Sequence, residues 1–177
     1  FEQNTKSRWY RYPKFFGPSA VLFYQLTPQP MWRRTVHERI GFFSNELRTA
    51  GDYDFNLRFA LEFKAERVGT EPLGLYLAHT EALSFKDDTL KRETDSLREK
   101  YRHVELIERL YARAGAPIAT AEHRAAVHTD MGLRAIRYFP PWFEGNPHQE
   151  PDFAKICFER ALACVPSSPV AMNNLMV

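Results

Sequence analysis

Between residues 88 and 114, Leu90, Leu97, Val104 and Tyr111 recur every seven residues, with Tyr101 and Ile107 beside them. Positions seven apart on an α-helix lie two turns apart on one face, so this stretch is expected to be a helix with a single apolar stripe. A stripe of that length must be covered, which commits the chain to a packed core. The composition can supply one: 44% of the 177 residues are hydrophobic and 14% aromatic, far from the profile of a disordered chain. The length suits one ordinary domain or parts of two. Glu105 and Arg109 form an i, i+4 pair on this helix, and Gly115 followed by Pro117 ends it.

The rest of the chain reads as shorter elements set off by prolines and glycines. An aromatic and basic opening (Trp9, Tyr10, Arg11, Tyr12, Phe15, Phe16) ends at Gly17-Pro18. Residues 20–26 form an apolar run of the length of a buried strand. Thr27-Pro28-Gln29-Pro30 interrupts it, because neither proline can donate to a ladder. Met31-Trp32-Arg33 resumes as a short strand, residues 35–40 make one or two helical turns, and Gly41 stops them. Residues 66–68 and 73–78 read as two more short strands around Gly69-Thr70-Glu71-Pro72. Helices are expected over 121–139, stopped by Pro140-Pro141, and over 152–165, closed by Pro166, with another beginning at Ser167-Ser168-Pro169. After Asp52 the two periods conflict. Tyr53, Phe55, Leu57, Phe59, Leu61 and Phe63 alternate with other residues as in a half-buried strand, whereas the Leu, Ala, Arg and Glu content and the Phe55/Phe59 spacing favour a helix.

A formal charge of +2 with no Lys/Arg block gives no support for nucleic-acid binding. Cys157 and Cys164 lie seven residues apart on one expected helix, about 10 Å along its axis, too far for a disulfide. Two thiols without metal-ligand spacing suit a reducing, cytoplasmic compartment. No signal peptide is visible, nor any apolar run near the ~20 residues of a membrane span. The chain opens at Phe1 and stops at Met176-Val177 inside an apolar pattern, and is read as an excerpt of a longer protein.

Gly51-Asp52-Tyr53-Asp54 is the first candidate for chemistry. An acid opening a helix sits in the positive end of the helix dipole, which favours its ionised form, and an ionised, positioned carboxylate can act as a general base. The competing reading is a plain helix cap. Asp52 and Asp54 resemble an Asp-x-Asp metal pair, but i, i+2 positions on a helix point to different faces. His79 follows an expected strand, where a histidine can ligate a metal or simply be a satisfied structural residue. Trp32-Arg33-Arg34 could meet a sugar and phosphate through the indole face and the guanidinium groups, or be core and surface respectively. Phosphate loops, zinc spacings and hydrolase motifs are lacking.

Taken together, 28–34 (Pro-Gln-Pro-Met-Trp-Arg-Arg), 36–43 (Val-His-Glu-Arg-Ile-Gly-Phe-Phe), 47–55 (Leu-Arg-Thr-Ala-Gly-Asp-Tyr-Asp-Phe) and Leu57-Arg58 resemble the second half of a family 2 glycosyltransferase. Leu73-Gly74-Leu75-Tyr76, His79, Ser84, Glu93, Lys100 and Tyr101 continue the resemblance, which covers roughly residues 16 to 102. Gly51 and Ser44 stand where that family usually has acids. The resemblance implies an α/β fold, the C-terminal portion of a GT-A sandwich with few short strands, and makes the segment after Asp52 a helix. It implies inverting transfer from a nucleotide-sugar donor to a hydroxyl acceptor on a glycan, lipid or protein. Asp52 would be the general base, Trp32, Arg33, Arg34 and Asp54 would line the substrate site, and His79 would help hold a divalent cation, Mn or Mg. The donor-binding half would lie upstream, leaving this chain inactive alone.

In the tail, Ala154, Phe158, Ala161 and Pro166 have the spacing of the second helix of a tetratricopeptide repeat, with Met172 and Leu175 opening the next. The expected organisation is therefore an acceptor-side transferase part over 1–115 and a helical, TPR-like segment over 116–177. That segment would offer a surface for a protein partner, and membrane association would come through such partners. The alternative expectation is a helical-repeat interaction scaffold whose transferase-like segment is not catalytic.

Overall fold

The computed structural model describes residues 14–26, 30–66, 68–69, 87–137 and 149–175. Among them every regular element is helical: a 3-10 helix at Gly17–Val21, then α1 (Thr35–Ile40), α2 (Gly51–Glu62), α3 (Thr89–Tyr101), α4 (Val104–Ala114), α5 (Ala121–Arg137), α6 (Pro151–Cys164) and α7 (Pro169–Leu175).

This corrects the α/β expectation. The apolar run at 20–26, read as a strand, begins inside the 3-10 helix, whose five residues are all buried. Pro18 pre-sets the first turn, and a short apolar run cannot by itself distinguish a strand from a buried turn. Met31-Trp32-Arg33 and the described residues of 66–68 form no strand either. The strand expected at 73–78 lies outside the described residues. A GT-A sandwich, and the family 2 resemblance that implied it, are overturned at the level of fold.

The segment after Asp52 is a helix, with Tyr53, Asp54, Phe55, Asn56, Leu57, Phe59 and Ala60 all buried. Burial on several faces explains the strand-like alternation: α2 is covered by the 3-10 helix, α1, α3 and α4 at once, so its apolar residues need not keep one stripe. Its N-terminus is capped from afar. Ala50, the cap residue, has no side chain to offer, and Glu93 of α3 accepts from the backbone N–H groups of Arg48, Thr49 and Ala50 at 2.8, 2.9 and 2.8 Å and from the Thr49 hydroxyl at 2.8 Å.

The helix expected over 88–114 is two helices. His103 takes an extended conformation (φ −63°, ψ 149°) and the chain restarts as α4. The Arg102 carbonyl loses its place in a continuous ladder and accepts instead from Arg160 of α6 at 2.8 Å. The Arg102 guanidinium bonds the Val21 carbonyl at 3.0 Å, pairs with Glu150 and lies 4.0 Å from the Phe153 ring centroid. Arg109, expected to pair with Glu105, reaches across to Glu62 of α2. The glycine stops are as expected: Gly41 (φ 77°) and Gly115 (φ 100°) take conformations costly for other residues.

One apolar cluster joins Val21, Leu57, Ile107, Leu110, Met131 and Phe158, drawing on the 3-10 helix and on α2 to α7. A smaller one, Leu26, Val36, Phe55 and Phe59, seats α1 on α2. The α5–α6 pair meets at Gly132, where an added Cβ would stand 2.7 Å from the Phe158 ring. Both cysteines are free thiols. Among the described residues no helix is long and apolar enough to cross a membrane.

Candidate functional site

Three carboxylates converge on the start of α2, and the fold gives them different tasks. Glu93 is committed to the backbone. Burial would raise its pKa, but the amides of Arg48, Ala50 and Thr49 and the Thr49 hydroxyl outweigh that and hold it at about 2. Asp54 is buried and paired with Arg58 at 2.7 Å, one turn on. The Tyr101 hydroxyl lies 3.5 Å away, and burial together with the Asp54 charge pushes that phenol up to about 12. Asp52 is the exposed one. It accepts from the Tyr53 N–H at 2.7 Å, and among the described residues it forms no ion pair.

The dipole argument from sequence predicts a depressed Asp52 pKa. The direction is the opposite: the protein crowded round the carboxyl raises its pKa, and the backbone bonds of Tyr53 and Asp52 offset this only in part. A raised pKa makes the ionised form a stronger base.

Asp52 and Phe55 share a face of α2, at i, i+3. Phe43 stacks on Phe55 with centroids 4.9 Å apart and reaches the backbone beside Asp52, its Cδ1 lying 3.9 Å from where a Cβ on Gly51 would stand. Trp32, expected as an open stacking surface, is half-buried instead, tilted on Phe55 at 4.8 Å. Its indole N–H donates to His37 Nε2 at 2.9 Å. An indole nitrogen only donates, so His37 carries its hydrogen on Nδ1, which lies 3.1 Å from the Gly41 carbonyl oxygen. The other side of the His37 ring holds Phe42, stacked at 4.6 Å. The exposed rings are thus Phe42 and Phe43, whose solvent position nothing in the local pattern signalled. Arg58, quoted in the resemblance but given no task by it, donates to the Ile40 and Phe42 carbonyls and so fixes this loop.

Arg33 and Arg34 lie exposed just before α1, their carbonyls accepting from the first amides of that turn. His79 and Ser84 lie outside the described residues. Among the described residues no three His, Cys, Asp or Glu side chains gather as a metal site.

Away from Asp52, a concavity of about 650 Å³ is lined by Arg39, Leu61, Glu62, Phe63, Arg109, Ala112 and Arg113. Its cations are accounted for locally. Arg39 and Arg113 lie in the last turns of α1 and α4, where they offset the helix dipoles, and Glu62 pairs with both Arg39 and Arg109.

Comparison with protein-family models, with curated proteins and with solved structures finds no match to this chain. With the helical fold, this removes the family 2 glycosyltransferase and tetratricopeptide resemblances as statements of membership.

Proposed function

We propose that this chain serves the acceptor side of a glycosyl transfer, with Asp52 activating the attacking hydroxyl. The observation that supports this is the division of labour at α2: Glu93 and Asp54 are consumed by amides and by Arg58, while Asp52 is exposed, forms no ion pair among the described residues and has a raised pKa. In the reaction Asp52 takes the proton of the acceptor hydroxyl as its oxygen attacks the anomeric carbon of a nucleotide-sugar. The new C–O bond forms as the bond to the departing diphosphate breaks, with inversion. The free thiols, with Cys157 buried and pushed up to about 12 by burial, suit a reducing, cytoplasmic setting.

The test is transfer of labelled sugar by the intact protein. Asp52→Asn should abolish transfer and leave donor binding intact. The acid limb of the wild-type pH profile should lie above the range of an ordinary aspartate, because the base must be ionised. Unimpaired turnover by the variant removes Asp52 from the mechanism.

A second reading is supported by α5–α7. Close packing at Gly132–Phe158, the small buried residues Ala154 and Ala161, and exposed Ile156, Val170 and Met172 suit a helical scaffold that docks another helical segment. On that reading Met172→Asp abolishes association with the partner and Asp52→Asn leaves it untouched.

A further inference from the structure

We propose that His128 is an acid-sensitive latch for α5: the helix is seated against α4 and α6 while the imidazole is neutral, and the seat opens when the ring takes a second proton. The device does not depend on the reading of Asp52.

His128 is fully buried in the middle of α5. Its Nε2 lies 3.2 Å from Oε1 of Glu108 on α4. A carboxylate only accepts, so in the neutral ring the hydrogen sits on Nε2 and Nδ1 keeps its lone pair. Nδ1 is buried too, and among the described residues it has no hydrogen-bond partner. The place of an added proton is therefore fixed in advance. Protonation makes a charged N–H at Nδ1, shut off from water and with no acceptor, which costs more than a neutral orphan would.

The charges around the ring come from three helices. Glu108 of α4 favours the imidazolium, while Arg160 of α6 and Arg124, one turn back on α5, oppose it. Both guanidinium groups are tethered, Arg160 to the Arg102 carbonyl at 2.8 Å and Arg124 to the Ile118 carbonyl at 3.4 Å. The 3-10 helix at Gly17–Val21, which also packs on α5, carries no titratable side chain. Burial is the largest influence, and with the two arginines it outweighs Glu108 and holds the His128 pKa below the ordinary histidine value.

The unfolded chain therefore takes up this proton more readily than the folded one. The contribution of the neutral ring is present above the unfolded value of about 6.5. It is lost as pH falls from there towards the folded value, by up to about tenfold in the folding equilibrium per pH unit. Where the loss is felt follows from position. Gly132 shares a face of α5 with His128, one turn on, and is where α5 meets the Phe158 ring of α6. Making room to solvate an imidazolium thus parts α5 from α4 and α6 together.

The experiment is urea unfolding of the full chain at pH 7.5, 6.5 and 5.5, beside an NMR titration of the His128 ring and of the Gly132–Phe158 NOE contacts. Between pH 7.5 and 5.5 the wild-type folding equilibrium should fall about threefold to tenfold more than that of His128→Gln, whose amide still donates to Glu108 but takes no proton. In the wild type, charging of the ring and loss of the Gly132–Phe158 contacts should coincide. Should His128→Gln fail to fold, Glu108→Gln decides: it keeps an acceptor for Nε2–H but removes the charge that favours the imidazolium, so both events should move to lower pH. Equal pH dependence in wild type and His128→Gln overturns the proposal, as does an unmoved midpoint in Glu108→Gln. A ring that charges in the folded chain at or above pH 6.5, or with the Gly132–Phe158 contacts intact, overturns it as well.

Discussion

Asp52 and Asp54 stand two residues apart and should answer mutation in opposite ways. Because the protein crowded round the otherwise exposed Asp52 carboxyl raises its pKa in the folded chain, its ionised form at neutral pH is a slight burden on folding. Asp52→Asn should therefore leave the melting temperature at pH 7 unchanged or higher while removing transfer, the signature of a side chain kept for function. Arg58→Ala leaves the Asp54 carboxylate buried without its partner and frees two loop carbonyls. A loss of about 3–5 kcal/mol in urea unfolding is expected, and Arg58→Lys should recover only part, since one ammonium cannot span the carboxylate and both carbonyls. A loss under about 1 kcal/mol in the alanine variant would mean that the pair is solvated and the loop is held by something else.

At the scale of elements, α2 depends on α3 for its start. Glu93→Ala removes the acceptor for three amides, and a loss of about 1–2 kcal/mol is expected. The pH dependence has a definite sign. The folded pKa is depressed from 4.5 to about 2, so the contribution of Glu93 is fully present above the unfolded value and is lost as pH falls from 4.5 to about 2. Acid titration of stability should show this loss in the wild type and a flatter curve in Glu93→Ala. The α5–α6 pair has a different weak point. Gly132→Ala gains helix propensity but drives a methyl against the buried Phe158 ring, and the clash should win by about 1–2 kcal/mol. A stabilised Gly132→Ala would show that the two helices can separate without cost.

Across the whole molecule, features decided within a few residues were legible in the chain and those decided across it were not. Gly41 and Gly115 ended their helices as read, Pro169 opened the last one, and of the seven-residue stripe Leu97, Tyr101, Ile107 and Tyr111 entered the core while Leu90 and Val104 are half-buried. Caps and periodicity act over one or two turns, so a sequence carries them openly. The break at Arg102-His103 did not show, because what replaces the lost helix bond is Arg160, 58 residues away. The run at 20–26 passed for a strand, since the burial of the turn at Gly17–Val21 in which it begins comes from α2, α4 and α5. The same division runs through the candidate site. Sequence placed Asp52 at a helix start and singled it out as the acid to watch. Only the tertiary structure left it without an ion pair among the described residues, by bringing Glu93 onto the amides and Arg58 onto Asp54, and left Phe43 rather than Trp32 in the open in the preceding loop. A side chain's chemical identity is local, but which of several like groups remains unspent is settled by partners that folding brings from elsewhere in the chain.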